Sequence, residues 1–247
     1  MGKKELNKLN LDAADAYSEN PDTAEEYLLS EDVDIDGFIT RGLDELQSFD
    51  SKPKKSLSNS QSFFRRVVLA ARITEECHSE RTFGSVKFQK LLYLCEHASN
   101  MKFNTSYTKQ AAGPMDNRFI YAVKPEFEKQ RWFKVDKIKD GTYAKVVFTP
   151  LENVDGYKIY YNRYFKDSDD AIMHLINTFR RWTTKDIELV ATIYSCWEEI
   201  LKEKAILTEA HIVERVYLWH KEKEKFKKNE IVDFYDWMIE NNIVPAG

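Results

Sequence analysis

The chain has 247 residues, of which 43% are hydrophobic and 32% are charged, and only eight are glycine and six are proline. This composition excludes collagen-like, Gly/Ser-linker and Pro-rich chains and favours a mainly helical protein with one large domain or two small ones. The formal net charge of −4 is unevenly distributed, because residues 1–60 carry −7 and residues 61–247 carry +3. The acidity therefore belongs to the first quarter of the chain.

The first quarter, residues 1–48, is predicted to be an acidic N-terminal interaction arm with short helices. Between Asp12 and Asp50 the sequence has thirteen carboxylates and a single cation, Arg41. Short helices of this kind are marginally stable alone and need a surface to pack on. That surface belongs either to the rest of the chain or to another protein. The apolar residues that we predict to contact a partner are Tyr27, Leu28, Ile35, Phe38 and Ile39.

A boundary and a helical domain follow the arm. Residues 49–62 are rich in serine, contain Pro53 and are predicted to be a linker. Residues 63–150 are predicted to form a helical domain with a hairpin. Within it, the segment 86–100 is apolar almost all round, which predicts a helix at the centre of a core. Asp140-Gly141 lies between β-rich runs and predicts an antiparallel β-hairpin.

The predicted fold class is mainly α (α+β), with a helical core and a small antiparallel β-hairpin. The core helix is expected to pack against helices over 63–77 and 115–130, and helices followed by a hairpin indicate a winged-helix-like arrangement. Residues 151–247 are predicted to be a C-terminal helical extension packed on this domain. Its expected helices are 155–165, 168–178, 183–203, 208–220 and 227–240. The large side chains that we expect to be buried are Phe88, Leu91, Leu92, Trp132, Ile187, Tyr194 and Trp197.

The sequence contains no motif that indicates catalysis. It has no glycine-rich phosphate loop, no G-x-S-x-G and no H-E-x-x-H. The cysteine and histidine residues nearest to a metal-ligand spacing are Cys77, His78, Cys95 and His97. A zinc site takes pairs two to four residues apart in turns, whereas Cys95 and His97 lie within a predicted helix and about 200° apart around it. We therefore predict no catalytic residue, no metal site and no cofactor. A nuclease or other hydrolase stays open only because acidic residues and a lysine can converge in space.

The basic residues give a weak nucleic-acid signal. Five lysines lie between Lys221 and Lys228, but two glutamates interleave them, and a solvated helix end is the alternative explanation. Only cations can release counterions from a phosphate backbone. The residues that would contact nucleic acid are Arg65, Arg66, Lys223, Lys225, Lys227 and Lys228.

No apolar run in the sequence approaches the ~20 residues that a membrane-spanning helix needs. The first residues lack the apolar stretch of a secretory signal. Three cysteines, an odd number, do not make a disulfide framework and fit a reducing compartment. We therefore expect a cytoplasmic protein with no membrane partner.

A motif on the predicted core helix resembles a known family. Lys87-x-x-Lys90-Leu-Leu-Tyr93 is followed some twenty residues later by Gly113-Pro114. This pattern is similar to the SocA-like antitoxin domain, also called Panacea, over residues 63–150. There, Gly-Pro opens the next helix, so the resemblance implies a helix from Met115. The matching motif residues are Lys87, Lys90, Leu91, Tyr93, Gly113 and Pro114.

The same stretch is also similar to modules that accompany type I restriction specificity subunits. That similarity extends to Gln130-Arg-Trp-Phe133 and to the tail between Glu188 and Pro245. Both resemblances imply bacterial conflict: toxin control, restriction or phage defence.

Two functions follow from these resemblances. The first is a non-catalytic, antitoxin-like interaction protein of a toxin–antitoxin or phage-defence system, which binds and neutralises or regulates a partner protein. The acidic arm predicts that this partner, a toxin or defence effector, has a basic surface. The alternative is a DNA-recognition or accessory module of a type I restriction-like defence complex, with Lys87 and Lys90 or the Lys221–Lys228 cluster on phosphates. DNA and a second copy of the chain stay open as further partners.

Overall fold

The computed structural model describes residues 59–99, 103, 105, 107–140 and 143–245. The predicted arm, 1–48, and its five predicted partner-binding residues lie outside the described residues, as does the linker up to residue 58. The chain divides into two units between residues 56 and 57, and all the described residues belong to the second unit, Leu57–Gly247.

The described part of the chain is mainly α-helical and includes two small antiparallel sheets of two strands each. Its helices are α1 (Asn59–Cys77), α2 (Ser85–Ala98), α3 (Asn117–Lys129), α4 (Tyr157–Phe165), α5 (Asp169–Phe179), α6 (Thr184–Lys202), α7 (Glu209–Trp219) and α8 (Lys228–Glu240). Its strands are β1 (Thr108–Gln110), β2 (Gly113–Met115), β3 (Phe133–Asp140) and β4 (Tyr143–Pro150). The predicted fold class is confirmed.

Two helices occupy the centre of the second unit. Helix α6 is buried over most of the stretch from Ile187 to Ile200, so other elements must enclose it. It packs against α2, α7, α8 and β2, whereas α2 packs against α1, α5, α6 and β2. The predicted contact between α2 and α1 is confirmed, but α3 packs mainly against β3 and α1. All seven large side chains predicted to be buried are buried: Phe88, Leu91, Leu92, Trp132, Ile187, Tyr194 and Trp197.

The predicted hairpin and the C-terminal helices are confirmed. Strands β3 and β4 pair from Phe133 opposite Pro150 to Asp140 opposite Tyr143. Helices α4 to α8 each begin and end within two residues of the predicted bounds. None of the described helices is both long and apolar enough to span a bilayer.

The expectation that Gly113-Pro114 opens a helix is wrong. The two residues lie in β2, which pairs with β1 in an antiparallel ladder. The backbone of Gly113 has a φ of +93°, which a right-handed helix does not admit. The helix α3 begins later, where the Asp116 side chain accepts a hydrogen bond from Phe119 N at 3.1 Å. A carboxylate at this position is a strong N-cap, so it sets the helix start.

The predicted linker is also shorter at its C-terminal end. Helix α1 begins at Asn59, so the last four residues of the predicted 49–62 segment are helical. The side chain of Ser62 is already buried, and Phe63 packs edge-on against Phe119 with 5.9 Å between ring centroids. Packing therefore overrides the turn-favouring serines at this boundary.

Candidate functional site

The two motif lysines of α2 are buried and bind main-chain carbonyls. Lys90 Nζ donates to the Pro114 carbonyl at 2.6 Å. Lys87 Nζ donates to the carbonyls of Arg180 and Trp182, at 2.6 and 2.7 Å, and to Thr82 Oγ1 at 2.8 Å. The hypothesis that Lys87 and Lys90 contact phosphates is therefore wrong, because neither ammonium group reaches the surface.

Lys87 stabilises the end of a neighbouring helix. The carbonyls that it binds follow the last turn of α5, where helical backbone acceptors lack intrahelical partners. A cation at this end also interacts favourably with the helix dipole. Burial lowers the pKa of Lys87, while the nearby Cys77 and Glu80 raise it. The residue thus joins α2 to the turn between α5 and α6.

Gly113 brings β2 into close contact with α6. A Cβ atom on this residue would lie 2.8 Å from Thr192 Oγ1 and 3.4 Å from both the Glu188 carbonyl and Lys90 Cε. The Thr192 hydroxyl cannot move away freely, because it donates to the Glu188 carbonyl at 2.7 Å. Both its backbone conformation and its surroundings therefore require glycine at position 113.

We expect Gly113→Ala to lower the free energy of unfolding by about 2–3 kcal/mol, from overpacking and from an unfavourable φ. Urea denaturation of the whole chain measures this loss. Gly84→Ala is the matched control, because a Cβ atom there would meet only the Val146 carbonyl, at 3.9 Å. Equal stabilities of the two variants would contradict the close contact.

Motif residue Lys90 belongs to a buried lysine–glutamate network, which consists of Lys90, Glu188, Lys223 and Lys225. The Glu188 carboxylate forms ion pairs with the amino groups of Lys223, at 2.7 Å, and of Lys225, at 2.9 Å. Burial, together with the nearby Lys223, lowers the pKa of Lys90 to about 7, and Glu188 opposes the shift. One carboxylate therefore faces three amines, two of them fully buried. This network connects α2, α6 and the 3-10 helix Lys221–Lys225.

The other α2 motif residues are also internal. Leu91 is fully buried, and Tyr93 is 3% exposed. Tyr93 donates through its hydroxyl to Glu198 Oε2 on α6, at 2.7 Å. The structure thus brings all six motif residues into buried contacts of α2 and β2 with neighbouring elements.

A second buried ionic group joins α1, α2 and α3. The Arg66 guanidinium contacts the Glu96 carboxylate and donates through Nη1 to Asp116 Oδ2 at 2.6 Å. It also lies 4.0 Å from the centroid of the Phe119 ring. Burial alone would lower the pKa of Arg66, but the Glu96 carboxylate and its hydrogen-bonded neighbours raise it above its usual value. The Tyr107 hydroxyl completes the group by donating to Glu96 Oε2 at 2.9 Å.

The structure removes two residues from the predicted nucleic-acid contacts. Arg66 is 4% exposed and Lys223 is fully buried, so neither can bind a phosphate in this fold. Arg65 is half-buried, with its guanidinium 4.7 Å from the Tyr164 ring centroid, and Lys225 pairs with Glu188. Lys227 and Lys228 are exposed.

The three cysteines are free and buried. Burial raises the pKa of Cys77 and of Cys196 to about 12 and raises the pKa of Cys95 well above its usual value. Thiols in such surroundings are protonated and poorly nucleophilic at neutral pH. In the part of the chain that the structure describes, no group of three or more His, Cys, Asp or Glu side chains could hold a metal ion.

A feature that the sequence did not predict is an aromatic cleft between the α5–α6 turn and α8. Its rings are those of Trp182, Phe234 and Trp237, all half-buried. The Trp182 centroid lies 4.7 Å from that of Trp237 and 5.7 Å from that of Phe234. The other residues that line the aromatic cleft are Arg181, Thr183, Asp186 and Asp233.

The aromatic cleft has the chemistry of a protein-binding surface. Aromatic side chains and arginine are enriched at protein interfaces, because large rings bury much area at low conformational cost. The lining has two carboxylates and one cation, so it favours basic groups in a partner. Asp186 also accepts from Thr183 Oγ1, at 2.7 Å. The only sequence signal for this surface is the pair of tryptophans, which are separated by 55 residues.

No family model matches the chain, and no curated protein gives a significant match to it.

Proposed function

We propose that this protein is a non-catalytic interaction protein of the antitoxin type, from a toxin–antitoxin or phage-defence system, which binds and neutralises or regulates a partner protein. The observation that carries the proposal is the open aromatic cleft formed by Trp182, Phe234 and Trp237. The antitoxin class comes from the sequence resemblance in residues 63–150. The partner carries apolar and basic side chains.

The charge of the cleft supports a basic partner. Asp186 and Asp233 lie beside the three rings, so a lysine or arginine of the partner can contact a carboxylate and an aromatic face together. The acidic arm, with thirteen carboxylates between Asp12 and Asp50, would add long-range attraction to the same kind of surface. Two separate features of the chain thus favour one class of partner.

The buried motif supports a scaffold function for the α2–β2 region. The amino groups of Lys87 and Lys90 donate to main-chain carbonyls inside the fold. Gly113 makes its close contacts there as well. Binding is therefore assigned to surface residues outside the motif.

The three unpaired thiols, Cys77, Cys95 and Cys196, are in keeping with a reducing compartment, and we place the protein in the cytoplasm.

Co-expression with the protein encoded by the neighbouring gene tests this function. The double variant Asp233→Lys/Phe234→Ala changes the cleft. The control Asp236→Lys/Ile239→Ala makes the same charge reversal and truncates a large apolar side chain on the exposed part of the same helix. We expect the cleft variant to bind the partner at least tenfold more weakly and to lose neutralisation, and the control variant to stay within twofold of the wild type. Deletion of residues 1–50 should also weaken binding, because it removes the predicted attraction.

Growth of the co-expressing cells and the dissociation constant of the purified pair are the two measurements. Circular dichroism shows whether both double variants are folded. Equal binding and neutralisation by the wild type and the cleft variant would overturn the assignment of the cleft. Equal binding with and without residues 1–50 would overturn the contribution of the arm.

A further inference from the structure

The positive charge of the second unit is concentrated in one continuous segment. Residues 117–145, which form α3 and most of the β3–β4 hairpin, have eight Lys and Arg and four Asp and Glu, a net charge of +4. Residues 61–247 together sum to only +3. The rest of this unit is therefore nearly neutral, and the cationic character belongs to α3 and the hairpin.

One face of α3 is exposed in the part of the chain that the structure describes. Phe119, Val123 and Phe127 form its buried face. The opposite face is exposed, and the Tyr121 side chain in its centre is 77% exposed. Tyr121 lies one helical turn from both Arg118 and Lys124, so its hydroxyl is on the same face as these two cations. The exposed residues of α3 are Asn117, Arg118, Tyr121, Lys124, Pro125, Glu128 and Lys129.

The hairpin lies against the same helix. Strand β3 packs on α3, and the Phe127 and Phe133 ring centroids are 5.4 Å apart. Lys134 and Lys137 on β3 are exposed, as is the apolar Ile138. The helix and the hairpin therefore form one packed body that presents cations from both elements. We call the exposed side chains of α3 and β3 the basic α3–hairpin surface.

Most of these cations are available for a ligand. Arg118, Lys129 and Lys137 make no ion pair with any residue that the structure describes. Lys124 lies 3.9 Å from Glu128, and Lys134 lies 3.1 Å from Asp136, with both lysines largely exposed. Exposed pairs of this kind contribute little free energy, so an anionic ligand can compete for the lysines.

The C-terminal lysines do not form an equivalent surface. Residues 221–240 contain five lysines and six acidic residues. Lys223 is buried, and Lys225 pairs with Glu188. Lys221, Lys227 and Lys228 remain exposed, but the acidic residues of the same segment outnumber its lysines, so its net charge is −1.

We propose that the basic α3–hairpin surface binds the phosphate backbone of duplex DNA. Helix α3 has 13 residues and is about 20 Å long, and an α-helix fits the ~12 Å major groove of B-form DNA. The deep, narrow major groove of A-form RNA does not admit a helix. Arg118 and Lys124 contact phosphates from the helix, Lys137 does so from the hairpin, and the Tyr121 hydroxyl adds a hydrogen-bond donor.

Fluorescence anisotropy with a labelled 24-base-pair duplex of arbitrary sequence tests this proposal. The surface variant is Arg118→Glu/Lys124→Glu/Lys137→Glu. The matched control is Lys221→Glu/Lys227→Glu/Lys228→Glu, which changes the net charge equally on exposed lysines elsewhere. We expect the surface variant to bind at least tenfold more weakly than the control. Its slope of log K against log salt should be shallower than that of the wild type by about 2–3, because three phosphate contacts are lost.

Titrations between 50 and 200 mM NaCl give the slopes, and circular dichroism confirms that both triple variants are folded. Equal weakening in the two variants, or greater weakening in the control, would overturn the proposal, because net charge or the C-terminal lysines would then explain binding. Failure of the wild type to bind DNA at 50 mM NaCl would also overturn it. Vesicles with anionic lipids form a separate arm, and binding to them without binding to DNA counts against the proposal.

Discussion

Replacement of Glu188 by alanine is expected to lower the free energy of unfolding by about 3–5 kcal/mol, because it leaves buried positive charge without a partner. The Glu188 carboxylate accepts from Lys223 at 2.7 Å, and the Lys223 side chain is fully buried. Burial lowers the pKa of Lys223, and Glu188 opposes this shift. Without the carboxylate, Lys223 must either lose its proton or remain charged in a poorly solvated site. Urea denaturation at pH 7 measures the loss.

A control and a rescue separate this effect from simple truncation. Glu199→Ala removes the same side chain from the same helix, but Glu199 pairs with the half-exposed Lys109, so its loss should cost less than about 1 kcal/mol. The double variant Glu188→Ala/Lys223→Met removes the orphaned charge as well. We expect it to recover at least about 2 kcal/mol relative to Glu188→Ala. If the double variant loses the sum of the free energies that the two single substitutions remove, the pairing of Glu188 with Lys223 is contradicted.

Local patterns were sufficient to predict most of the helices and the larger hairpin. The C-terminal helices carry long apolar stripes, and threonines cap α6 and α7. Asp140-Gly141 is a strong local turn signal, so the β3–β4 hairpin could be predicted as well. These elements follow from residues close together in the sequence. Strands β1 and β2, with three residues each, are too short to show any periodicity.

The positions of the charged residues could not be predicted in this way. A lysine is normally a surface residue, yet Lys87 and Lys90 are buried, because carbonyls distant in the sequence accept hydrogen bonds from their amino groups. Those carbonyls belong to Arg180, Trp182 and Pro114, which only the tertiary fold brings to α2. The aromatic cleft has the same origin, because Trp182 and Trp237 meet through the packing of α8 beside the α5–α6 turn. Burial of charge is a property of the whole fold.

Exposure therefore separates the basic residues that are internal to the fold from those that a ligand can reach. Arg66 and Lys223 lie in internal ionic groups, whereas Arg118 and Lys137 are exposed and make no ion pair with a described residue. The sequence patterns predict nucleic-acid contacts at Arg66 and Lys223 and none at Arg118 or Lys137. Only the structure shows which of them an anionic ligand can reach, and it shifts the expected DNA contacts from the Lys221–Lys228 stretch to α3 and the hairpin.

Replacement of Lys90 by methionine is expected to stabilise the protein near neutral pH and to lose this advantage as the pH rises. Burial, reinforced by the nearby Lys223, lowers the pKa of Lys90 to about 7 in the folded chain. In the unfolded chain the pKa of a lysine is about 10.4. Between these two values the unfolded chain binds one proton more than the folded chain. The free energy of unfolding of the wild type therefore rises with pH, by up to about 1.4 kcal/mol per pH unit.

Lys90→Met has no amino group to titrate at this position. The difference in the free energy of unfolding between the wild type and this variant therefore isolates the contribution of Lys90. Below about pH 7 the folded wild type carries the full cost of a buried ammonium, and Lys90→Met is the more stable protein. Towards pH 10 the neutral amine still donates to the Pro114 carbonyl, and the wild type should equal or exceed the variant. Urea denaturation of both proteins at each pH unit from 6 to 10 gives the difference. Buried tyrosines titrate in both proteins alike, and their contribution cancels.

The exposed Lys109→Met is the control, and its difference from the wild type should stay below about 1 kcal/mol and vary little with pH. A pH-independent difference for Lys90→Met would mean that Lys90 stays charged in the folded chain across this range. The lysine–glutamate network would then hold both buried amines as cations around a single carboxylate. In that case the free energy of unfolding that Glu188→Ala removes should exceed what the added Lys223→Met substitution restores, because Lys90 would remain as a second unpaired cation. The two experiments together therefore determine the charge of the network.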